Sequence, residues 1–276
     1  MVRIGMVNYI NTAPLYEIWK KRVKRPDWEI VEAPPARLNR LLAAGELDMG
    51  CVSSYEYAAR PQRYRILSGL SISADGPVGS VYLFSRIAVE ELSGRLILLS
   101  GQSETSVCLV RILLEDYYRQ RPEYIRGEVF ADRDRERERE IVAVLAIGDD
   151  ALRLRAEGRY PLQFDLGEMW HQHTGLPFVF AVYAVREELI ARNPDTVREI
   201  HRTLQQCLAD GLADLERIAA AVAPRIPMTQ QACLAYLQAM EYDLNAAKQE
   251  ALKRFFTLLI HRGEAREAAL PLKLFS

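Results

Sequence analysis

The chain has 276 residues, 49% hydrophobic and 26% charged, with a formal net charge of −1, a composition ordinary for a globular protein of one large domain or two lobes. So small a net charge provides no field for nucleic acid or an anionic membrane, and no segment approaches the run of about 18 apolar residues that spans a bilayer. The four cysteines, Cys51, Cys108, Cys207 and Cys233, stand far apart with no C-x-x-C spacing, which predicts buried free thiols rather than a metal site or a disulfide frame.

In chain order, Met1 to Val7 reads directly into a strand, without the charged and long apolar regions of a signal peptide, and this predicts a cytoplasmic location. Strands are then expected at Glu29 to Glu32, Leu47 to Val52, Tyr64 to Leu67 and Val78 to Arg86. Helices at Pro14 to Lys21 and Ala36 to Ala44 lie between them, the second ending at Gly45. From Glu90 the pattern restarts: strand Arg95 to Leu99, helix Thr105 to Gln120, strands Gly127 to Phe130 and Ile141 to Ile147, helix Ala151 to Ala156, and strand Phe178 to Val185. The remainder reads as helix at Pro194 to Val222, Thr229 to Met240 and Asn245 to Arg262.

Alternating strands and helices predict an α/β protein with mainly parallel sheets. The long strands Val78 to Arg86 and Phe178 to Val185 read as crossovers between two lobes, one formed by residues 1–85 and 184–276, the other by 86–183. The run from Ala131 to Glu140 alternates Asp or Glu with Arg and reads as a solvent-exposed connection, with a partner-binding arm as the other reading.

Four apolar strand segments end in small polar turns that open into helices: Asn8 to Thr12, Ser53-Ser54, Gly101 to Ser106, and Gly148-Asp149-Asp150. In an open α/β sheet such turns gather at the carboxyl ends of the strands, where helix N-termini offer unpaired N–H groups and partial positive charge. Four of them together predict a cradle for a small organic acid that needs no Lys or Arg. Taken singly, each turn is also explained by helix capping, with Ser103 as the cap of the third. Gly79, in Asp75-Gly76-Pro77-Val78-Gly79-Ser80, allows a ligand or a second backbone to come close. His171-x-His173 is poorly spaced for a metal, and no dinucleotide fingerprint, P-loop or Gly-x-Ser-x-Gly motif occurs.

Val52-Ser53-Ser54-Tyr55-Glu56-Tyr57-Ala58 and Ser71 to Val81 resemble the chorismate dehydratase family of menaquinone biosynthesis. So do Asn8-Tyr9-Ile10-Asn11-Thr12, Leu38 to Leu42 with Gly45 to Asp48, and Asp165 to Trp170 with Thr174 to Ala181. The resemblance implies a two-lobed fold like type II periplasmic binding proteins, with a cleft between the lobes, acting as a hydro-lyase. The implied reaction takes water from chorismate to give 3-[(1-carboxyvinyl)oxy]benzoate in the futalosine route, with neither metal nor organic cofactor. Asn8 stands where that family more often carries a small hydroxyl residue.

On this reading Asn11, Ser53, Ser54, Ser80, Thr105 and Ser106 bind the substrate, Gly148 and Asp149 contribute from the facing lobe, and Asn11 and Ser80 are the candidate catalytic residues. No His lies in the four turns, so the base is Glu56, Asp149 or the substrate's own enolpyruvyl carboxylate. The rival readings are a sibling enzyme like 1,4-dihydroxy-6-naphthoate synthase, a non-catalytic receptor for a small organic anion, and an interaction protein built on the Arg/Glu run.

Overall fold

A computed structural model describes residues 1–131 and 140–276, so the reading of the Arg/Glu run falls almost wholly outside the described residues. The chain folds around two sheets. The first contains β1 (Val2–Met6), β2 (Trp28–Glu32), β3 (Met49–Ser53), β4 (Tyr64–Ala74), β10 (Phe178–Arg186) and β11 (Leu274–Phe275), in the order β11-β4-β10-β3-β1-β2. The second contains β5 (Val81–Ser85), β6 (Leu96–Ser100), β7 (Glu123–Gly127), β8 (Ile141–Ile147) and β9 (Leu162–Asp165), in the order β7-β6-β8-β5-β9.

Parallel pairing holds where strand and helix alternate, at β1 with β2 and β3 and at β6 with β7 and β8. It reverses at β5 and β10, the first strand after each crossing, which run antiparallel to their neighbours because the chain enters from the opposite end of the sheet. Sheet membership therefore moves the expected lobe boundaries: β5 belongs to the second sheet and β10 to the first, so the crossings lie just before Val81 and just before Phe178 rather than at 85/86 and 183/184.

The helices that position the turns are α1 (Ala13–Arg22), α2 (Pro35–Ala44), α3 (Ser54–Ala59), α4 (Glu104–Arg111), α5 (Gly148–Glu157) and α6 (Leu166–Thr174). The tail adds α7 (Glu187–Arg192), α8 (Pro194–Leu212), α9 (Leu215–Val222), α10 (Gln230–Ala239) and α11 (Ala246–His261). The long helix expected at Pro194 to Val222 breaks at Ala213 and Asp214, where Asp214 leaves helical geometry (φ −131°, ψ 39°). The helix expected at Thr105 to Gln120 continues past α4 only as a π-helical turn, Ile112–Tyr117. The strand expected at Gly127 to Phe130 is instead β7, where Tyr124 and Ile125 supply the apolar residues that pair along β6.

Two close approaches fix the frame. Gly50 lies beside Gly5 in the β1–β3 register, and a Cβ on Gly50 would sit 2.7 Å from the Gly5 carbonyl oxygen, so only glycine fits. Asp165, buried at the end of β9, caps α6 by accepting from the N–H groups of Gly167 (2.9 Å) and Glu168 (3.2 Å). The same carboxylate accepts from Val78 N–H (3.0 Å) and Gly79 N–H (2.7 Å). It thereby ties the connection into the second lobe to the helix that precedes the connection out.

Candidate active site

The carboxyl ends of β1, β3, β6 and β8 face one another across a cleft between the sheets, with about 550 Å³ of atom-free space counting the open solvent at its mouth. The first lobe lines it with Asn11, Thr12, Cys51 and Ser53, and the second with Ser80, Ser103, Ser106 and Gly148. Val7, Ile72, Val78, Val81, Ile147 and Phe180 supply apolar walls. Among the described residues, none that lines the cleft is Lys, Arg, His, Asp or Glu.

Counting protons shows what the hydroxyls can do. Ser53 Oγ accepts from Asn39 Nδ2 (2.8 Å) and from Glu56 N–H (3.3 Å), while Ser53 N–H donates to Asn39 Oδ1 (3.1 Å). Ser106 Oγ accepts from Ser103 Oγ (3.0 Å), and Ser80 Oγ accepts from the Tyr236 phenol (2.8 Å). Each of these three serines receives a hydrogen bond from the protein and keeps its own proton to give to the cleft. Thr12 differs, because its single proton is used on the carbonyls of Val7 (2.7 Å) and Tyr9 (2.9 Å). Asn11 Oδ1 is buried with no protein partner, although it lines the same cleft. A buried polar atom without a partner is costly, and this oxygen and the three hydroxyl protons are cleft groups left with hydrogen-bonding capacity.

Five of the residues expected from the sequence therefore meet at the cleft: Asn11, Ser53, Ser80, Ser106 and Gly148. Three do not. Ser54 is fully buried and donates to the carbonyl of Val179 (2.7 Å). Thr105 accepts from Tyr55 N–H (3.0 Å), and Asp149 accepts from Ile10 N–H (3.1 Å). The last two hold one lobe against the other rather than facing the cleft. Glu56 is also removed as a base, since its carboxylate is buried away from the cleft and bound to Arg60 (2.7 Å) and the Tyr64 hydroxyl (2.9 Å).

The sequence reading missed Tyr9, Asn39, Gln102 and Tyr236. The Tyr9 ring lies against Gly148, where φ is +57° and a Cβ would come within 2.8 Å of the ring. Its hydroxyl donates to Gln102 Oε1, and Gln102 Nε2 donates to Asp150 Oδ2 (3.0 Å). Ala36 N–H donates to the Gln102 carbonyl (3.0 Å). Farther from the cleft, Arg262 of the tail pairs with Glu115 (2.6 Å) and Asp116 (2.9 Å) of the second lobe. These contacts hold the lobes closed. His171 and His173 serve packing: the first lies 2.9 Å from Asp75 and the second stacks on Tyr117.

A family model described as menaquinone biosynthesis matches residues 2–261. The chain belongs to that family. It is 32% identical over 271 residues to the chorismate dehydratase of Thermus thermophilus, covering 91% of this chain and 93% of that protein. Among solved structures, a protein from Archaeoglobus fulgidus superposes with a TM-score of 0.76 at 20% identity, covering 95% of this chain and 97% of its own. The periplasmic aliphatic sulphonate binding protein of Escherichia coli superposes with a TM-score of 0.66 at 14% identity, covering 100% of this chain and 92% of its own. The fold is the two-lobed α/β fold of periplasmic binding proteins, and no described helix is long and apolar enough to cross a membrane.

In this member of the menaquinone biosynthesis family, two titratable groups line the cleft among the described residues, Tyr9 and Cys51. Burial pushes the Cys51 thiol up to about 12. It also raises the Tyr9 phenol, with the charges of Asp150 and Asp149 adding to the effect. Both groups keep their protons at neutral pH, so neither can accept one from a ligand. Asp149 is likewise raised, chiefly by burial, with Ile10 N–H opposing the shift.

Proposed function

We propose that this protein is a chorismate dehydratase, a hydro-lyase working without metal or organic cofactor in the cytoplasm, which converts chorismate to 3-[(1-carboxyvinyl)oxy]benzoate. The observation that carries the reading is the convergence of three free hydroxyl protons and the unpartnered Asn11 Oδ1 on an apolar cleft that, among the described residues, has no cation in its lining. A ligand with two carboxylates, a hydroxyl and an apolar ring fits that donor set. The 32% identical relative named chorismate dehydratase supports the same choice.

In the proposed reaction, the Ser53 and Ser106 hydroxyls hold the carboxylates, with Gly148 allowing the ligand to approach the backbone beside them. Each hydrogen bond to a charged group contributes about 1.5–3 kcal/mol. The ring proton beside the enolpyruvyl ether leaves, the neighbouring C–O bond breaks, and the departing hydroxide takes up a proton to become water. The gain in aromaticity drives the step, so the protein need only orient the two leaving groups and exclude bulk water.

With Tyr9 and Cys51 protonated and no carboxylate in the lining, the substrate's own enolpyruvyl carboxylate serves as the base. Asn11 and Ser80 are assigned to the reacting centre, where Asn11 Oδ1 accepts from the ring hydroxyl and orients it, and Ser80 donates its proton to that oxygen as the C–O bond breaks. Most lining side chains are buried, so substrate entry requires the lobes to part and then close again.

Purified protein mixed with chorismate should consume the diene absorbance and yield an aromatic acid. Asn11→Ala and Ser80→Ala should each lower kcat/KM by about 10- to 100-fold, the value of one hydrogen bond to a charged or developing charge. Binding without conversion by the wild-type protein would overturn the assignment, and near-normal rates in either variant would remove that residue from the site.

A further inference from the structure

We infer that Tyr236, from the helical tail, is a positioning residue that aims the Ser80 hydroxyl proton into the cleft, an inference that rests on the dehydratase reading of this site. Tyr236 lies on α10, more than 150 residues from Ser80 in sequence, and donates its phenolic proton to Ser80 Oγ at 2.8 Å in a buried setting. Its ring packs on the backbone just before that serine: a Cβ on Gly79, where φ is +74°, would lie 3.3 Å from Tyr236 Cδ2. The tyrosine therefore grips the segment at two points.

The other polar groups of that segment are already held. Val78 N–H and Gly79 N–H donate to Asp165, and the Ser80 carbonyl accepts from Gly148 N–H at 2.7 Å. With the backbone fixed and an incoming proton occupying one side of Oγ, the remaining freedom of Ser80 is the direction of its own proton. That direction is away from the donor and toward the cleft that Ser80 lines. Burial raises the Tyr236 phenol far above neutrality, so it remains a proton donor throughout the working pH range. The tail helix thus completes a site whose other members come from strand ends.

Tyr236→Phe keeps the ring on Gly79 and removes only the hydroxyl. It should lower kcat by about 10- to 100-fold while KM for chorismate changes by less than about 3-fold, the pattern of a misaimed group acting in the transition state. In a Ser80→Ala background the same change should cost less than about 2-fold, because the residue acts through Ser80. An undiminished kcat in Tyr236→Phe, or an equal loss with and without Ser80, would overturn the inference.

A readout independent of turnover is the Tyr236 hydroxyl proton, whose burial and hydrogen bond should make it exchange slowly enough to appear in NMR spectra of the wild-type protein. It should shift or disappear in Ser80→Ala, and an unchanged resonance would overturn the inference. Wild-type protein that leaves chorismate intact would refute the dehydratase reading, while the NMR comparison would still decide whether Tyr236 holds Ser80.

Discussion

Asp149 sits in the first turn of α5 and reaches across to Ile10 N–H on the opposite lobe, at 3.1 Å. Asp149→Ala strands that N–H in the closed state while leaving it free to meet water once the lobes part. The loss therefore falls on closure. An unsatisfied buried donor costs about 1–3 kcal/mol, and 1.4 kcal/mol is about a factor of ten in an equilibrium. If catalysis needs the closed form, the apparent affinity scales with its population, and KM for chorismate should rise by about 5- to 100-fold. Asp149→Asn retains an acceptor oxygen and should lose less than about 5-fold, the difference between a charged and a neutral acceptor. Steady-state kinetics should be paired with small-angle scattering, in which the ligand-free Ala variant should show a larger radius of gyration than wild type. An unchanged KM together with an unchanged radius would refute the role of Asp149 as a closure contact.

Two further outcomes test the frame. Gly211 of α8 crosses α1 so closely that a Cβ would lie 1.8 Å from the Pro14 carbonyl oxygen. Gly211→Ala should therefore cost about 3 kcal/mol and lower Tm by roughly 6–12 °C, and a melt within experimental error of wild type would show that the crossing can relax. Buried His201 bonds through Nε2 to the Ser68 carbonyl at 2.7 Å, and burial lowers its pKa below the ordinary 6.5, with the Ser68 bond opposing. The unfolded chain then binds the proton more readily than the folded one. This contribution to stability is complete above about pH 6.5 and is lost as the pH falls from there toward the folded value. Thermal melts from pH 8 to pH 5 should steepen in wild type relative to His201→Gln, and parallel profiles would refute the assignment.

The parts of the site legible in the sequence were those set by local chemistry. An apolar run followed by Asn, Ser, Thr or Gly and then by helical spacing is visible without a structure, and all four such turns border the cleft. Which hydroxyl faces the ligand was not visible, because successive residues at a helix N-terminus point about 100° apart. Ser53 and Ser106 turn toward the cleft, whereas their neighbours Ser54 and Thr105 turn to other backbone groups. Deciding between such neighbours requires the facing lobe, which lies far away in sequence.

Long-range pairing hid other features in the same way. β4, expected to end at Leu67, continues through Ser71 and Ser73, which are buried and pair through their backbone with the tail at Tyr242 and Glu241. β5 and β10 were visible as strands, but their sheets depend on partners that the local pattern does not name. Tyr236 had no signal beyond its helical spacing, and Asn39 none beyond its place in the Leu38 to Leu42 block.

The carboxylate of Asp165, which gathers amides from residues 78, 79, 167 and 168, has a mechanical consequence. It welds the near ends of both connections onto one body, so an opening of the cleft would carry residues 78, 79, 167 and 168 together. Bending is left to the short stretches outside that weld, before Val78 and after α6. Gly76 and Gly175 lie there, both in left-handed geometry with open space around the missing side chain. Parting of the lobes is therefore least opposed at this pair of glycine-bearing joints.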